Sequence, residues 1–376
     1  MSAKKGLYGT WMAGLGFAAL IGLYTTYKLF ADGHALFNTN DVILWSLPLG
    51  VYIYLALASS GLTILSALPL VFGISKYEPF AKRLVFLSIA TLCGAFVSIG
   101  LELGSIFHII YYILSPNFSS PIWWMGAIYG LELAVLVVKF ALMHKGDWQS
   151  GFSKILATAS FILALVAPLM IGSVFGITES RVTYFGPVMS IYCLLMAFMS
   201  GTALFLFYSM IVNKLTGNGI LSEMYDGFAL IFTYATGVVV VFTLLKFAIE
   251  SATVIPEFLV YNQFDHAFGA IRGFHTEVLF GLFLPFVLLL IPSVRASTGG
   301  KIVAPALILI GTLLMHMEIL LAGQSHPVGP KAEQYPEFIK YFPSIWEFLV
   351  FLFALAIMLI LYTLGERYLK LTEVSE

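Results

Sequence analysis

Charge is scarce in this chain. Only 10% of its 376 residues are Asp, Glu, Lys or Arg, against about 25% in soluble domains, too few to clothe a water-facing globular surface. The net charge is −1, which offers no basic surface to nucleic acid and excludes it as an expected partner. Cysteine is scarcer still. Cys93 and Cys193 lie far apart inside apolar stretches, so neither a disulfide framework nor an iron-sulfur cluster can be built on this chain. Walker, dinucleotide and hydrolase motifs are missing from any context that would support them.

Long apolar runs stand in their place: the chain is 60% hydrophobic, with mean hydropathy +0.95. Runs long enough to cross roughly 30 Å of hydrocarbon fall near 9–30, 42–72, 84–114, 121–143, 153–178, 183–213, 226–250, 274–294, 301–321 and 343–365. They predict an all-α, polytopic membrane protein of about ten transmembrane helices, with the lipid bilayer as its solvent. The first run follows a basic start, but it is too long for a signal peptide and has no small-residue cleavage site, so it reads as a retained span.

Twelve Lys and Arg fall on one side of these spans and four on the other, Arg181, Arg272, Lys331 and Lys340. The positive-inside rule then places both termini in the cytoplasm. The outer face carries the long connections 251–273 and 322–341, which suggest a docking surface. ASSGLTIL (58–65) and FMSGTALF (198–205) place Ser-Gly pairs in two spans 140 residues apart. Such pairs suit either an internal duplication or close helix packing. The expected organisation is a first helix and outer turn over 1–41, a four-helix bundle over 42–178, a second over 183–321, and a loop, last helix and tail over 322–376.

Few polar groups interrupt the spans. Glu102 and His108 sit in the run SIGLELGSIFHIIYYIL, where a central charge costs roughly 2.5 to 3.5 kcal/mol and calls for a partner or a wet path. On one continuous helix they would lie about 120° apart around its axis, two depths along a path rather than an acid-base pair. Glu132 and Lys139 share a face of the next helix, and Lys246 with Glu250 forms an i, i+4 pair that neutralises itself. Glu102 has no such neighbour in sequence, so it is the expected proton relay, with Glu132 as a second carboxylate. His108, His275 and His316 are conceivable haem ligands, but no helix carries two histidines at ligand spacing. A haem b protein is one alternative. A secondary transporter is the other, suggested by Pro48, Pro168, Pro285 and Pro305 within spans.

The run LELGSIFHIIYYILSPNFSSPIWW resembles a pattern of an acidic residue, Leu-Gly-Arg-Pro and Pro-Asn-x-x-Ser-Pro-x-x-Trp in NrfD-like membrane subunits of polysulfide reductase type complexes. NDVILWSLPLGVYIYLALASSGLTI, GSVFGITESRVTYFGP, MSGTALF, HTEVLFGLFLP, LLAGQ and YFPSIWEFLVFLFALAIMLILYTLG extend the resemblance over some 320 residues. They are similar to the ten-helix branch found in periplasm-facing hydrogenase, Dsr, Hmc and Qrc complexes. Ser105-Ile106 stands where Arg-Pro is usual, Ser46 where Gly is usual, and Met315-His316 where Asn-Arg is usual.

The resemblance implies a quinone-reactive subunit in a prokaryotic cytoplasmic membrane. Its quinone would be menaquinone, and this chain would hold no haem or iron-sulfur cluster. The implied partners are a ferredoxin-like iron-sulfur subunit and further molybdopterin, hydrogenase or cytochrome c type redox subunits. Carried over by position, the quinone-binding residues are Asn40, Asp41 and Trp45, with His108 and Arg181 at similar expected depth. The acidic position that handles protons falls on Glu102.

Overall fold

The computed structural model describes residues 2–104, 106–179, 181, 185–216, 222–253, 276–325, 329, 333, 339 and 341–372. Among them no strand occurs, and nine helices are long and apolar enough to cross a membrane. They are α1 (Ser2–Asp32), α2 (Leu47–Leu70), α3 (Glu78–Glu102), α5 (Pro121–His144), α6 (Gly151–Gly176), α7 (Val188–Thr216), α8 (Asp226–Thr253), α10 (Gly300–Ala322) and α11 (Ile345–Tyr368). The shorter helices include α4 (Ile110–Leu114) and α9 (Leu279–Leu290). The all-α polytopic expectation holds, but within the expected span at 274–294 the described apolar helix, α9, is shorter than the nine that could cross.

Helix α2 is the axis of the fold. It packs against α3, α6, α7, α10 and α11, and nearly every residue from Leu47 to Ala67 is buried. A helix apolar on all sides belongs in such an interior. At the periphery, α1 packs on α11 and leaves Phe17, Leu20, Leu23 and Tyr27 exposed, a lipid-facing surface.

Close approach depends on missing side chains. A Cβ on Gly61 would fall 1.9 Å from the Ala197 carbonyl oxygen, and one on Gly201 would fall 2.5 Å from the Gly61 carbonyl carbon. The two Ser-Gly pairs noticed in the sequence are thus one crossing, seen from its two helices, and small residues let the backbones touch. Gly281 and Gly311 repeat the device between α9 and α10. There Leu279–Phe283 is a π-turn just ahead of Pro285, whose missing N–H and ring bulk disturb the preceding turn.

At the end rich in basic residues, Arg83 is buried and pairs with Glu366 at 2.6 Å. Its guanidinium also donates to the Tyr225 hydroxyl at 3.2 Å, and the Tyr362 hydroxyl donates to Glu366 at 2.7 Å. This cluster ties α3, α11 and the turn before α8 into one unit.

One expectation fails. The run 84–114 is not a single helix: α3 stops at Glu102, Leu103 turns extended with ψ 124°, and the chain continues as a 3-10 turn, Ile106–Ile109, and α4. Gly100 and Gly104 weaken helix continuation, and the Glu102 carboxylate is committed to another element. Uninterrupted apolarity hid the break, because the segment beyond it is apolar and exposed. Arg272, His266, His275, His326, Lys331 and Lys340, with the connections 254–275 and most of 326–340, lie outside the described residues.

Candidate functional site

Residues 38–47 lead into α2 without regular structure until its first turn, so their backbone N–H groups need partners from elsewhere. Side chains supply them. Asn40 Oδ1 accepts from the N–H groups of Val42 and Ile43, at 2.9 and 2.8 Å, and shapes its own loop. Gln324, just past α10, accepts from the N–H groups of Leu44 and Trp45 at 2.9 and 2.8 Å, and its amide nitrogen donates to the Trp45 carbonyl at 3.2 Å. Glu102, the last residue of α3, accepts from Ser46: the N–H at 3.1 Å, and the hydroxyl at 2.9 Å on Oε1 and 2.7 Å on Oε2. The Tyr341 hydroxyl accepts from the Leu47 N–H at 2.9 Å.

A second carboxylate completes the cluster. Glu347 is fully buried in the first turn of α11. It closes a capping box with Ser344, accepts from the Asn38 N–H at 3.3 Å, and accepts the Tyr341 hydroxyl proton. Burial first, and then the neighbouring Glu347 charge, hold the Tyr341 phenol well above its usual range. It therefore stays a donor at neutral pH. Two carboxylates, a phenol and the Ser46 hydroxyl converge on one helix start, whose partial positive charge suits an acidic or electron-rich group.

The structure brings part of the expected set together. Asn40, Trp45 and Glu102 share this assembly, and Asp41 lies exposed in the same loop. The Trp45 ring meets Phe175 edge-on, with centroids 5.7 Å apart. Phe175 belongs to the last turn of α6, and half-buried Arg181 follows one turn later, its N–H bonded to the Thr178 carbonyl at 3.0 Å. His108 is not brought in. It sits exposed on the 3-10 turn beyond α3, its ring 5.8 Å from Tyr111, so Glu102 and His108 do not share a helix.

Glu132 lies elsewhere, deep between α5 and α2. The buried stripe of α5 is Tyr129, Glu132, Leu136, Lys139 and Met143, a helical seam in which three of five positions are polar. Ser60 donates to Glu132 Oε2 at 3.2 Å, and the Tyr52 and Tyr129 rings meet 6.2 Å apart. Ser59 Oγ and Thr63 Oγ1 both reach Ser88 Oγ, at 2.9 and 2.7 Å. Toward the basic end, Lys139 donates to Ser153 Oγ at 2.7 Å. Among the described residues no group of three or more His, Cys, Asp or Glu could hold a metal.

Sequence reasoning missed Gln324, Tyr341 and Glu347 as members of the site. One signal was present: Ser344-x-x-Glu347 ahead of an apolar run is a capping-box pattern.

Comparison with known proteins bears on most of the chain. A family model described as polysulphide reductase, NrfD, matches residues 35–328. The integral membrane subunit of an Hdr-like menaquinol oxidoreductase from Archaeoglobus fulgidus is 23% identical over 334 residues, covering 83% of this chain and 81% of its own. A putative dimethyl sulfoxide reductase membrane subunit from Halobacterium salinarum is 24% identical, covering 83% and 77%. A selenate reductase subunit from Mesobacillus selenatarsenatis is 23% identical, covering 71% and 68%.

Proposed function

Because the chain belongs to the polysulphide reductase NrfD family, we propose that it is the quinone-reactive membrane subunit of a multisubunit respiratory oxidoreductase. Its quinone is menaquinone, in keeping with the name of the Archaeoglobus relative. Electrons pass between the quinone and a docked ferredoxin-like iron-sulfur subunit, and beyond it a molybdopterin, hydrogenase or cytochrome c type subunit. The membrane is the prokaryotic cytoplasmic membrane, with both termini in the cytoplasm, as the distribution of Lys and Arg indicates.

The observation that carries this reading is the part-buried Glu102 to Ser46 contact at the start of α2, with Tyr341 and Glu347 beside it. Quinone reduction takes up two electrons and two protons. The site must therefore hold the head by hydrogen bonds to its carbonyl oxygens and deliver protons to them. Trp45, partly exposed and backed edge-on by buried Phe175, offers aromatic surface to a flat ring, Asn40 and Asp41 line the loop, and Arg181 stands at the neighbouring helix end. Glu102 and Ser46 can hold and pass a proton. Glu132, with Ser60 and the seam running to Lys139, continues the polar line toward the cytoplasmic side. His108, exposed on the outer surface, serves at most at the approach to the site. In domain terms, 42–178 with α2 at its centre forms the quinone-handling bundle, 183–321 the second bundle, and 1–41 and 322–376 the flanking pieces.

The decisive experiment is purification of the assembled complex from native membranes and assay with menaquinone. Copurification with an iron-sulfur subunit and quinone-dependent electron transfer support the proposal. A chain that purifies alone and carries a solute across liposome membranes overturns it in favour of a transporter.

A further inference from the structure

Between Glu102 and Glu132 the chain has no Asp, Glu, Lys or Arg. Within this stretch Phe107 is 78% exposed, Ile113 73% and Leu114 67%. The polar edges of its aromatic residues turn inward: Trp123 Nε1 donates to the Tyr112 carbonyl at 2.9 Å, and Trp124 Nε1 donates to the Phe118 carbonyl at 2.8 Å. The Tyr112 hydroxyl donates to the Trp123 carbonyl. Exposed apolar side chains, and indoles that bond to carbonyls of the segment itself, suit lipid, where no water is available to do so; His108, Asn117 and Ser119 are exposed beside them. Paired tryptophans suit the level where hydrocarbon meets headgroups.

Behind this segment lies a cleft of about 240 Å³, between the outer end of α1 and the last turn of α3. Phe30 and Phe107 flank it, with centroids 5.6 Å apart, and both are exposed. His34, Gly100, Leu103 and Gly104 line it as well. His34 Nε2 is buried with no hydrogen-bond partner among the described residues. Gly104 adds no bulk, and a Cβ there would meet nothing within 4 Å. The cleft therefore ends on the turn whose Glu102 carboxylate holds Ser46 on the other side. Its volume lies just under the roughly 300 Å³ at which small-molecule pockets begin. It has room for a ring head, with a hydrocarbon tail left outside against the phenylalanines.

We propose that this cleft is a lipid-side port: a tailed quinone enters it from the outer leaflet between Phe30 and Phe107, and its head is received by His34 beside the Glu102 turn. The proposal rests on the quinone-reactive function above and adds the route by which a membrane-dissolved substrate arrives. No bond is made or broken at the port.

Gly104→Trp tests it, because a Cβ at Gly104 meets nothing within 4 Å and the indole adds bulk at the lining of the cleft. The assembled complex, in lipid nanodiscs, is assayed with isoprenoid-tailed menaquinone, which is confined to the bilayer, and with tail-less menadione, whose water solubility gives it a route to the quinone site that does not pass through the cleft. The expected result is a rise of about tenfold in the ratio of the tailed to the tail-less KM, while Gly104→Ala keeps the wild-type ratio and both variants copurify with their redox partners. An unchanged ratio in Gly104→Trp overturns the port, as does an equal loss with both quinones. His34→Leu is the second variant: it raises the tailed KM if the imidazole receives the head, and leaves it unchanged if the cleft is instead a contact for a soluble partner. A wild-type complex that turns over neither quinone refutes the underlying function, an outcome separate from failure of the port.

Discussion

The carboxylate of Glu102 accepts both the backbone N–H and the hydroxyl of Ser46, so the last residue of one membrane helix caps the residue that opens another. An acidic side chain at that point meets the helix start with favourable polarity. Under the proposed function it would also pass a proton to the quinone head. These two roles can be separated by changing the charge and keeping the shape.

Glu102→Gln keeps an oxygen that can accept from Ser46 but removes the proton-exchanging group. The expected outcome is a complex that assembles and melts near the wild-type temperature, with quinone turnover reduced roughly hundredfold, the scale of a lost general acid-base group. Stopped-flow oxidation of the quinol by the purified complex measures it. Wild-type turnover in the variant would remove Glu102 from the proton path.

Tyr341→Phe probes the neighbouring cluster. The change leaves the Leu47 N–H and one Glu347 oxygen without their partner, and each buried orphan costs about 1 to 3 kcal/mol. A lowered thermal midpoint in detergent is expected, with impaired quinone binding through the loosened start of α2. If stability is unchanged, the Tyr341 contacts contribute nothing to holding α2 and α11 together.

The all-α polytopic architecture was legible in the sequence, because twenty-residue apolar runs are governed by the bilayer alone, and nine of the expected spans correspond to helices long enough to cross among the described residues. The end of α3 was not legible. A segment that lies against lipid without crossing it has the same composition as one that crosses, so 103–114 read as helix continuation. Gln324, Tyr341 and Glu347 were equally hidden, since each acts on residues roughly 280 to 310 positions away, at a distance no local pattern encodes. The Ser-Gly pairs carried real information: they mark the close meeting of Gly61 with Gly201.

That meeting gives a stability test. Gly61→Ala would press a methyl group against the Ala197 carbonyl oxygen, 1.9 Å from the ideal Cβ position, whereas Gly130→Ala adds one where nothing lies within 4 Å. The first should cost about 1 to 3 kcal/mol or more through overpacking. The second should be neutral or slightly stabilising, since alanine favours helix over glycine. Thermal unfolding of the two variants side by side reads the difference, and equal midpoints would mean that α2 and α7 do not cross at these glycines.

Glu132 raises the remaining mechanistic question, because its burial is complete and Ser60 donates to only one of its oxygens. A carboxyl group retained there for packing alone should be replaceable by its amide, which has the same volume and keeps an acceptor for Ser60. A carboxyl group that passes protons along the α5 seam should not. Glu132→Gln is therefore expected to preserve assembly while slowing proton uptake from the cytoplasmic side by roughly tenfold or more, within the range of a removed acid-base group. The readout is proton uptake by inside-out vesicles with electron transfer recorded in parallel. Slowed protons with electron transfer still running would mark Glu132 as part of a pathway separable from the quinone site, and equal slowing of both would place it on the obligatory route to the quinone. Wild-type rates for both would assign Glu132 to packing.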